Sequence, residues 1–370
     1  MKKYAFKLKP LTALHVGTGD VITPLEYIIT KDTSGNEILG KFSPENIVLQ
    51  LNDSQKQRFN SLVSDKDSII GLRNFFNEKE IRLIIKKNIE YVSLLDKEFI
   101  HQYEKTKNDF NNALEINTIY KDSKYFPVIP GSSIKGAIRT AILNNLAEKN
   151  NFIRINSNNN GFELQRSLLS YSDAKNDPFR ILGISDVTFN PKNNQIVAPM
   201  EICNYTGDTS PKGINIYVEA LKGLILDADI AGQGTFLIHD EIVGKTVPFK
   251  MGTFIIKRQP FFDVNLLKDM VNEFYQDVFK DEHKKIQGSS VDETIKNQYD
   301  QISNYIDEKI IKDKNEVLIR IGRWSHVEAV TIKKYRNLST KRGYGKSRTF
   351  IAYNGSYYPM GWCSIRFIDI

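Results

Sequence analysis

Cysteine is nearly missing from this chain: Cys203 and Cys363 are the only two among 370 residues. Thiols so far apart in sequence exclude a disulfide framework and a cysteine zinc motif, and they point to a reducing compartment, the cytoplasm. Histidine is scarce too, with five residues. No Asp/Glu cluster or His/Cys set stands at metal-ligand spacing, so neither a metal nor another cofactor is expected. Long apolar runs are also missing: none approaches the roughly 20 residues that a membrane-spanning helix needs. Met1-Lys2-Lys3 leads into an alternating pattern rather than the apolar core of a secretion signal. No membrane partner is expected.

What the chain does have is a hydrophobic fraction of 41% and a surplus of bases, 51 Lys and Arg against 44 Asp and Glu. The first is enough to build packed cores over a length that suits two domains. The second gives a net charge of +7 and a pI near 9.0, which favours a polyanionic partner without naming one.

The chain is organised around Pro130-Gly131-Ser132-Ser133-Ile134-Lys135-Gly136-Ala137-Ile138-Arg139. Pro-Gly marks a turn, and Ser132 and Ser133 can accept from the free N–H groups of a helix that starts there. Ile134, Ala137, Ile138, Ala141 and Ile142 share one apolar face, while Lys135 and Arg139 stand four apart on another. A helix N-terminus carrying two cations suits phosphate; it equally suits a solvated surface helix. Upstream, Tyr4 to Val16 alternates like a strand and runs into His15-Val16-Gly17-Thr18-Gly19, where two glycines permit a tight turn. His15 reads as a structural histidine at a strand end, because general acid–base work needs a partner that no sequence feature supplies. Asp186, in the short strand Leu182–Val187, reads likewise as a capping or pairing carboxylate.

Residues 41–120 mix acids and bases nearly evenly and show helical periodicity at 69–76, 81–91 and 98–114, which predicts a helical insertion. Gln195–Cys203 and Ile214–Ala220 predict a hairpin with a long tip, where Tyr205 and Lys212 would suit stacking and phosphate contact. Val264–Phe279 and Glu293–Ile311 predict helices, with a capping box at Ser290 and Glu293. Trp324, after Arg323, suits either a base or a gap between sheet and helix. The chain then turns basic, with Lys341, Arg342, Lys346 and Arg348 around Tyr344 and no acid from Thr331 to Phe350. Cations for phosphates, a ring for bases and loosening glycines make this stretch a single-strand binding loop.

These segments resemble, in order, the hallmarks of the RAMP superfamily of CRISPR effector subunits. The matching pieces are His15-Val16-Gly17-Thr18-Gly19, the Pro-Gly-Ser-Ser-Ile-Lys-Gly helix, Ile184-Ser185-Asp186, Glu219-Ala220-Leu221 and Pro359-Met360-Gly361-Trp362. Length and ending look most like the type III-A members, and among them the subunit that caps the 3′ end of the guide crRNA in the Csm effector complex. The resemblance implies an α+β fold of two ferredoxin-like, RRM-type domains. These would be residues 1–195, with the insertion at about 41–120, and 196–370, with a helical insertion at about 264–312. It implies a non-catalytic protein with RNA contacts at Gly17, Gly19, Ser132, Ser133, Lys135, Arg139, Tyr205, Lys212, Lys341, Arg342, Tyr344, Lys346 and Arg348. Its partners would be guide crRNA, target RNA, the repeated backbone subunit and host nucleases that trim the guide. The alternative is a metal-independent crRNA-processing endoribonuclease, for which His15, His326 and Tyr344 are the candidate groups.

Overall fold

The structure is a computed structural model that describes residues 1–64, 68–109, 114–149, 161–192, 194–249, 252–336 and 345–369. Strands β1 (Lys2–Pro10), β2 (Gly17–Ile22), β3 (Tyr27–Lys31) and β4 (Glu37–Lys41) come first. Helices α1 (Pro44–Leu49), α2 (Asp53–Val63), α3 (Ser68–Asn77) and α4 (Lys79–Lys87) follow, then β5 (Tyr91–Leu95), α5 (Lys97–Thr106) and β6 (Ile116–Ile119). Next come β7 (Val128–Ile129), α6 (Gly131–Lys149), α7 (Gly161–Leu169), β8 (Leu182–Ile184) and β9 (Val187–Thr188). Strands β10 (Gln195–Asn204), β11 (Lys212–Leu221), β12 (Gly232–Ile238), β13 (Thr246–Phe249) and β14 (Gly252–Ile255) lead to α8 (Val264–Gln287) and α9 (Glu293–Tyr305). The chain ends with β15 (Glu316–Arg320), α10 (His326–Val330), β16 (Ser347–Tyr353), β17 (Ser356–Tyr358) and β18 (Trp362–Asp369). No helix among the described residues is long and apolar enough to cross a membrane.

The expected α+β class is the one observed, with two principal sheets. One is five-stranded and antiparallel, in the order β15-β18-β1-β12-β8. The other follows β2-β6-β11-β10-β5-β4-β3, with β16 on β10 and β17 on β16. Each sheet takes strands from both sides of residue 195, so the expected boundary there does not separate the sheets. The helical insertions fall where periodicity puts them. Tyr91, however, begins β5, and α5 stops at Thr106 rather than reaching Leu114.

The main core forms where α6 and α8 cover one face of the five-stranded sheet. Ile134, Ile138, Ala141 and Ile142 of α6 meet Phe274 and Tyr275 of α8 over Phe6 and Leu8 of β1. Burial of such side chains contributes roughly 1.5–3 kcal/mol each.

Several local expectations are corrected. The long tip expected for the hairpin β10–β11 does not stand free: β10 lies at the centre of its sheet, and the Thr209 hydroxyl at the tip donates to the Ser290 carbonyl. Pro199, which has no N–H to donate, sits where the β10–β11 register shifts. Asp292, not Ser290, caps α9 by accepting from the Thr294 N–H at 2.8 Å. The strand predicted over 182–187 breaks between β8 and β9, and the step leaves the Asp186 carboxylate accepting from the Gly131 N–H at 2.8 Å. Only glycine fits at 131, since a Cβ there would lie 2.1 Å from the Ile184 carbonyl oxygen.

Candidate nucleic-acid interface

The turn after β1 brings backbone to the surface. A Cβ on Gly17 would lie 2.6 Å from His15 Nε2, and Gly19 takes a φ of +94°, which favours glycine. The His15 ring is 1% exposed. Burial lowers its pKa, opposed by the hydrogen bond between Nδ1 and the Glu219 carbonyl, so the ring is neutral and Nδ1–H donates at 2.6 Å. Glu219 explains the Glu-Ala-Leu segment. Its buried carboxylate accepts from Lys121, Ser93 and Gln195, and so ties the base of the turn to the second sheet.

Three segments converge beside this turn on a cleft of about 440 Å³. The first is His15–Gly17, Gly19 and Asp20 with Asn117 and Thr118. The second is one side of α6, Ser133, Gly136, Ala137 and Thr140. The third is the loop after β15. From that loop Arg323, which is exposed, donates through its backbone N–H to the His15 carbonyl at 2.9 Å. Its side chain donates to Asn117 Oδ1 at 2.9 Å, and its guanidinium lies 4.7 Å from the Trp324 ring. Gly136 is exposed, and a Cβ there would meet nothing within 4 Å. The α6 wall of the cleft is therefore low and open. Tyr120, whose backbone N–H donates to the Val16 carbonyl at 2.8 Å, is 41% exposed on the hairpin that leads into α6, and Phe126 on the same hairpin is 39% exposed.

The cleft unites Gly17, Gly19 and Ser133. Ser132 is exposed in the first turn of α6 but does not line it. Lys135 and Arg139 point elsewhere, because the chain uses both internally. Lys135 Nζ donates to the Leu182 carbonyl at 2.6 Å. Arg139 pairs with Asp177 at 2.9 Å, donates to Gln165 and Tyr171, and lies over the Phe179 ring. The positive end of α6 is likewise taken by the Asp186 carboxylate, so the phosphate site expected there is filled from within.

Tyr205 packs against the main core, with its hydroxyl buried and Arg348 over its ring, rather than standing at a hairpin tip. Lys212 is exposed and pairs with Asp208 at 2.8 Å. Arg348 is corrected most: it is 2% exposed, with Nε 2.9 Å from Glu282 and a terminal nitrogen 2.9 Å from Glu328. Lys346 is exposed. Lys341, Arg342 and Tyr344 lie outside the described residues.

His15 lines the cleft and His326 does not; His326 accepts from the Thr349 N–H beside the Glu282 ion cluster. The two histidines of the nuclease alternative are therefore not gathered in the cleft. Arg323 is the cleft residue that sequence reasoning missed as a contact. The signal was Gly322-Arg323-Trp324, a cation and a ring after a flexible residue.

A sequence model of the RAMP superfamily matches residues 7–346. Two curated relatives carry the name CRISPR system Cms protein Csm5. The one from Streptococcus thermophilus is 24% identical over 59% of this chain and 61% of its own length. The one from Methanocaldococcus jannaschii is 27% identical over 75% of this chain and 63% of its own length. The chain thus spans under two thirds of these relatives. Among solved structures, a chain of the cryo-EM structure of a Csm–crRNA–target RNA ternary complex in a type III-A CRISPR-Cas system aligns with a TM-score of 0.63. That match has 21% identity and covers 99% of this chain and 100% of that one. The crystal structure of T. onnurineus Csm5 aligns with a TM-score of 0.56 and 19% identity, covering 96% of this chain and 99% of that one. The fold is the one those chains share, and on the family match across nearly its whole length this chain belongs to the RAMP superfamily.

Proposed function

We propose that the chain is a non-catalytic RNA-binding subunit of a type III-A Csm effector complex, holding the 3′ region of the guide crRNA next to the repeated backbone subunit. The observation that carries this reading is the cleft. A glycine turn, the low side of α6 at Gly136 and the exposed Arg323 converge there, which offers close backbone approach and a cation. Tyr120, hydrogen-bonded through its backbone to Val16 of the turn, adds an exposed ring. The neutral, buried His15 suits a structural role better than proton transfer. The similarity to a chain from a Csm–crRNA–target RNA complex supports crRNA and target RNA as partners.

Gly136→Asp tests the reading. The new carboxylate enters open space in the cleft, so folding survives while phosphate is repelled. In the assembled complex, the variant loosens the guide and leaves crRNAs with altered 3′ lengths and unchanged 5′ ends, read by sequencing the bound RNA. Native mass spectrometry counts one copy of the chain per complex. Unchanged RNA affinity and unchanged 3′ ends refute the assignment, as do several copies per complex.

A further inference from the structure

A second cleft, of about 460 Å³, opens where α7 ends, against the segment that follows β14. It shares no lining residue with the first cleft. Tyr171 in its wall accepts from Arg139 of α6 at 3.3 Å. Two cations line it, Arg166 and Lys257, and both are exposed. Among the described residues neither makes an ion pair, and no Asp or Glu lines the cleft. The acids of the segment after α7 are engaged: Asp173 pairs with Lys175 at 3.7 Å and Asp177 with Arg139 at 2.9 Å. Ser167, Ser170 and Ser172 add hydroxyls that no described residue engages. The Asn176 side-chain oxygen already accepts from the Ile255 N–H at 3.2 Å, which leaves its amide nitrogen to donate. Cations and small donors with no carboxylate among them suit the several acceptor oxygens of a phosphate.

The turn itself points the same way. Ser170 closes α7 with a φ of +54°. Its N–H donates to the Ser167 carbonyl at 3.2 Å, and the Tyr171 N–H to the Arg166 carbonyl at 3.0 Å. This is a helix end at which glycine is the usual residue, because a side chain is strained there. The chain nevertheless keeps a serine, whose hydroxyl lines the cleft side of the turn with no described partner. Strain retained at an exposed polar residue is a mark of function. Free carbonyls at a helix end would oppose an anion. Here those of Arg166 and Ser167 are taken by the turn, and that of Leu169 by the Gln259 amide at 3.1 Å. Phe162, four residues before Arg166 and so on the same side of α7, is 66% exposed. A ring in line with a cation is how single strands are held without sequence preference.

We infer that this cleft is a second RNA contact, which takes one backbone phosphate of a single strand between Arg166 and Lys257, with Ser170 donating to it and a neighbouring base on Phe162. The inference extends the RNA-binding reading above and rests on it.

The test is fluorescence anisotropy of the full chain with a labelled polyuridylate over a series of KCl concentrations. The Arg166→Gln, Lys257→Gln double variant lowers the slope of log affinity against log salt by about 0.7, the share of one single-strand phosphate. Phe162→Ala weakens binding by about fivefold or more and leaves the slope alone. Ser170→Gly relieves the turn, so it melts higher than the parent while binding RNA more weakly, a combination that a merely structural serine does not produce. An unchanged slope in the double variant overturns the inference, and so does a Ser170→Gly variant that melts higher but binds as the parent does. A double variant that binds RNA normally but loses a neighbouring subunit overturns it as well, and would assign the cleft to an acidic protein. Failure of the parent chain to bind the probe at all would instead sink the RNA-binding reading itself. Loss of binding in Gly136→Asp with no change in the α7 variants would overturn this second contact and leave the first cleft standing.

Discussion

Removing the negative charge of Glu282 should be among the most damaging single changes in this protein. The carboxylate is 1% exposed and lies 2.7 Å from Arg320 and 2.9 Å from Arg348, which are each 2% exposed. The Tyr299 hydroxyl donates to its other oxygen. Burial pushes this carboxyl up, and the two guanidiniums overcome it and hold it well below the ordinary range. In Glu282→Gln, Arg348 keeps Glu328, but Arg320 loses its carboxylate partner and keeps only neutral neighbours such as the Met360 carbonyl and the Trp362 ring. An uncompensated buried charge costs about 3–5 kcal/mol. Urea unfolding followed by tryptophan emission reads the loss directly, because the Arg320 guanidinium lies 4.7 Å from the Trp362 ring. Adding Arg348→Met to Glu282→Gln should recover part of the loss, a coupling expected only for groups in one network. A cost below about 1 kcal/mol for Glu282→Gln would refute the reasoning, since exposed pairs contribute at that level. The pH dependence has a defined sign. With its folded pKa depressed, Glu282 contributes stability that is complete above the ordinary carboxyl range and is lost as pH falls through that range toward the folded value.

Burial, reinforced by Arg320 and Arg348, pushes His326 down to about 3, and His15 is lowered in the same direction. His326 stays neutral when folded and takes a proton when unfolded below about pH 6.5, and His15 shifts the balance in the same direction. Stability should therefore begin to fall below pH 6.5, before carboxylates titrate, and a thermal midpoint constant from pH 7 to 5 would contradict this. Arg139→Ala should cost about 1–3 kcal/mol from its charged hydrogen bonds and leave the salt slope of RNA binding unchanged; a lower slope would return this cation to the RNA. Alanine should separate two glycines of one helix in denaturant titrations. At 136 it stabilises by up to about 1 kcal/mol, while at 131 it destabilises because the Ile184 carbonyl blocks the methyl group.

Local pattern carried much of the fold. Gln195–Cys203 and Ile214–Ala220 alternate and are strands within two residues of the expected bounds. The Pro-Gly-Ser-Ser segment opens a helix because its turn chemistry and apolar spacing agree. What the sequence concealed was the destination of charge. Arg348 reads as part of a basic surface run because its partners, Glu282 and Glu328, lie far off along the chain and only packing brings them near. Lys135 and Arg139 do share a helix face, as spacing requires, but spacing does not reveal that Leu182, Asp177 and Tyr171 wait there. Asp186 could be read as a capping carboxylate; which helix it caps depended on a close approach between Gly131 and Ile184 that no local signal encodes. The partition of strands was equally hidden, since neighbours in a sheet need not be neighbours in sequence.

The pairing of β1 with β12 and β18 bears on how the protein is made. Pro10 sits opposite Cys363 and Tyr4 opposite Asp369. During synthesis the first strand therefore leaves the ribosome with one pairing edge that stays unmatched until the last strand emerges. At translation rates of about 5–20 residues per second, an amphipathic strand waits tens of seconds with its backbone groups on offer to other chains. The alternating lysines Lys3, Lys7 and Lys9 guard that interval, because charge along a bare edge discourages edge-to-edge association. Nascent-chain protection of β1 should thus come in two steps, the first with β12 and the second, on the other edge, only with β18.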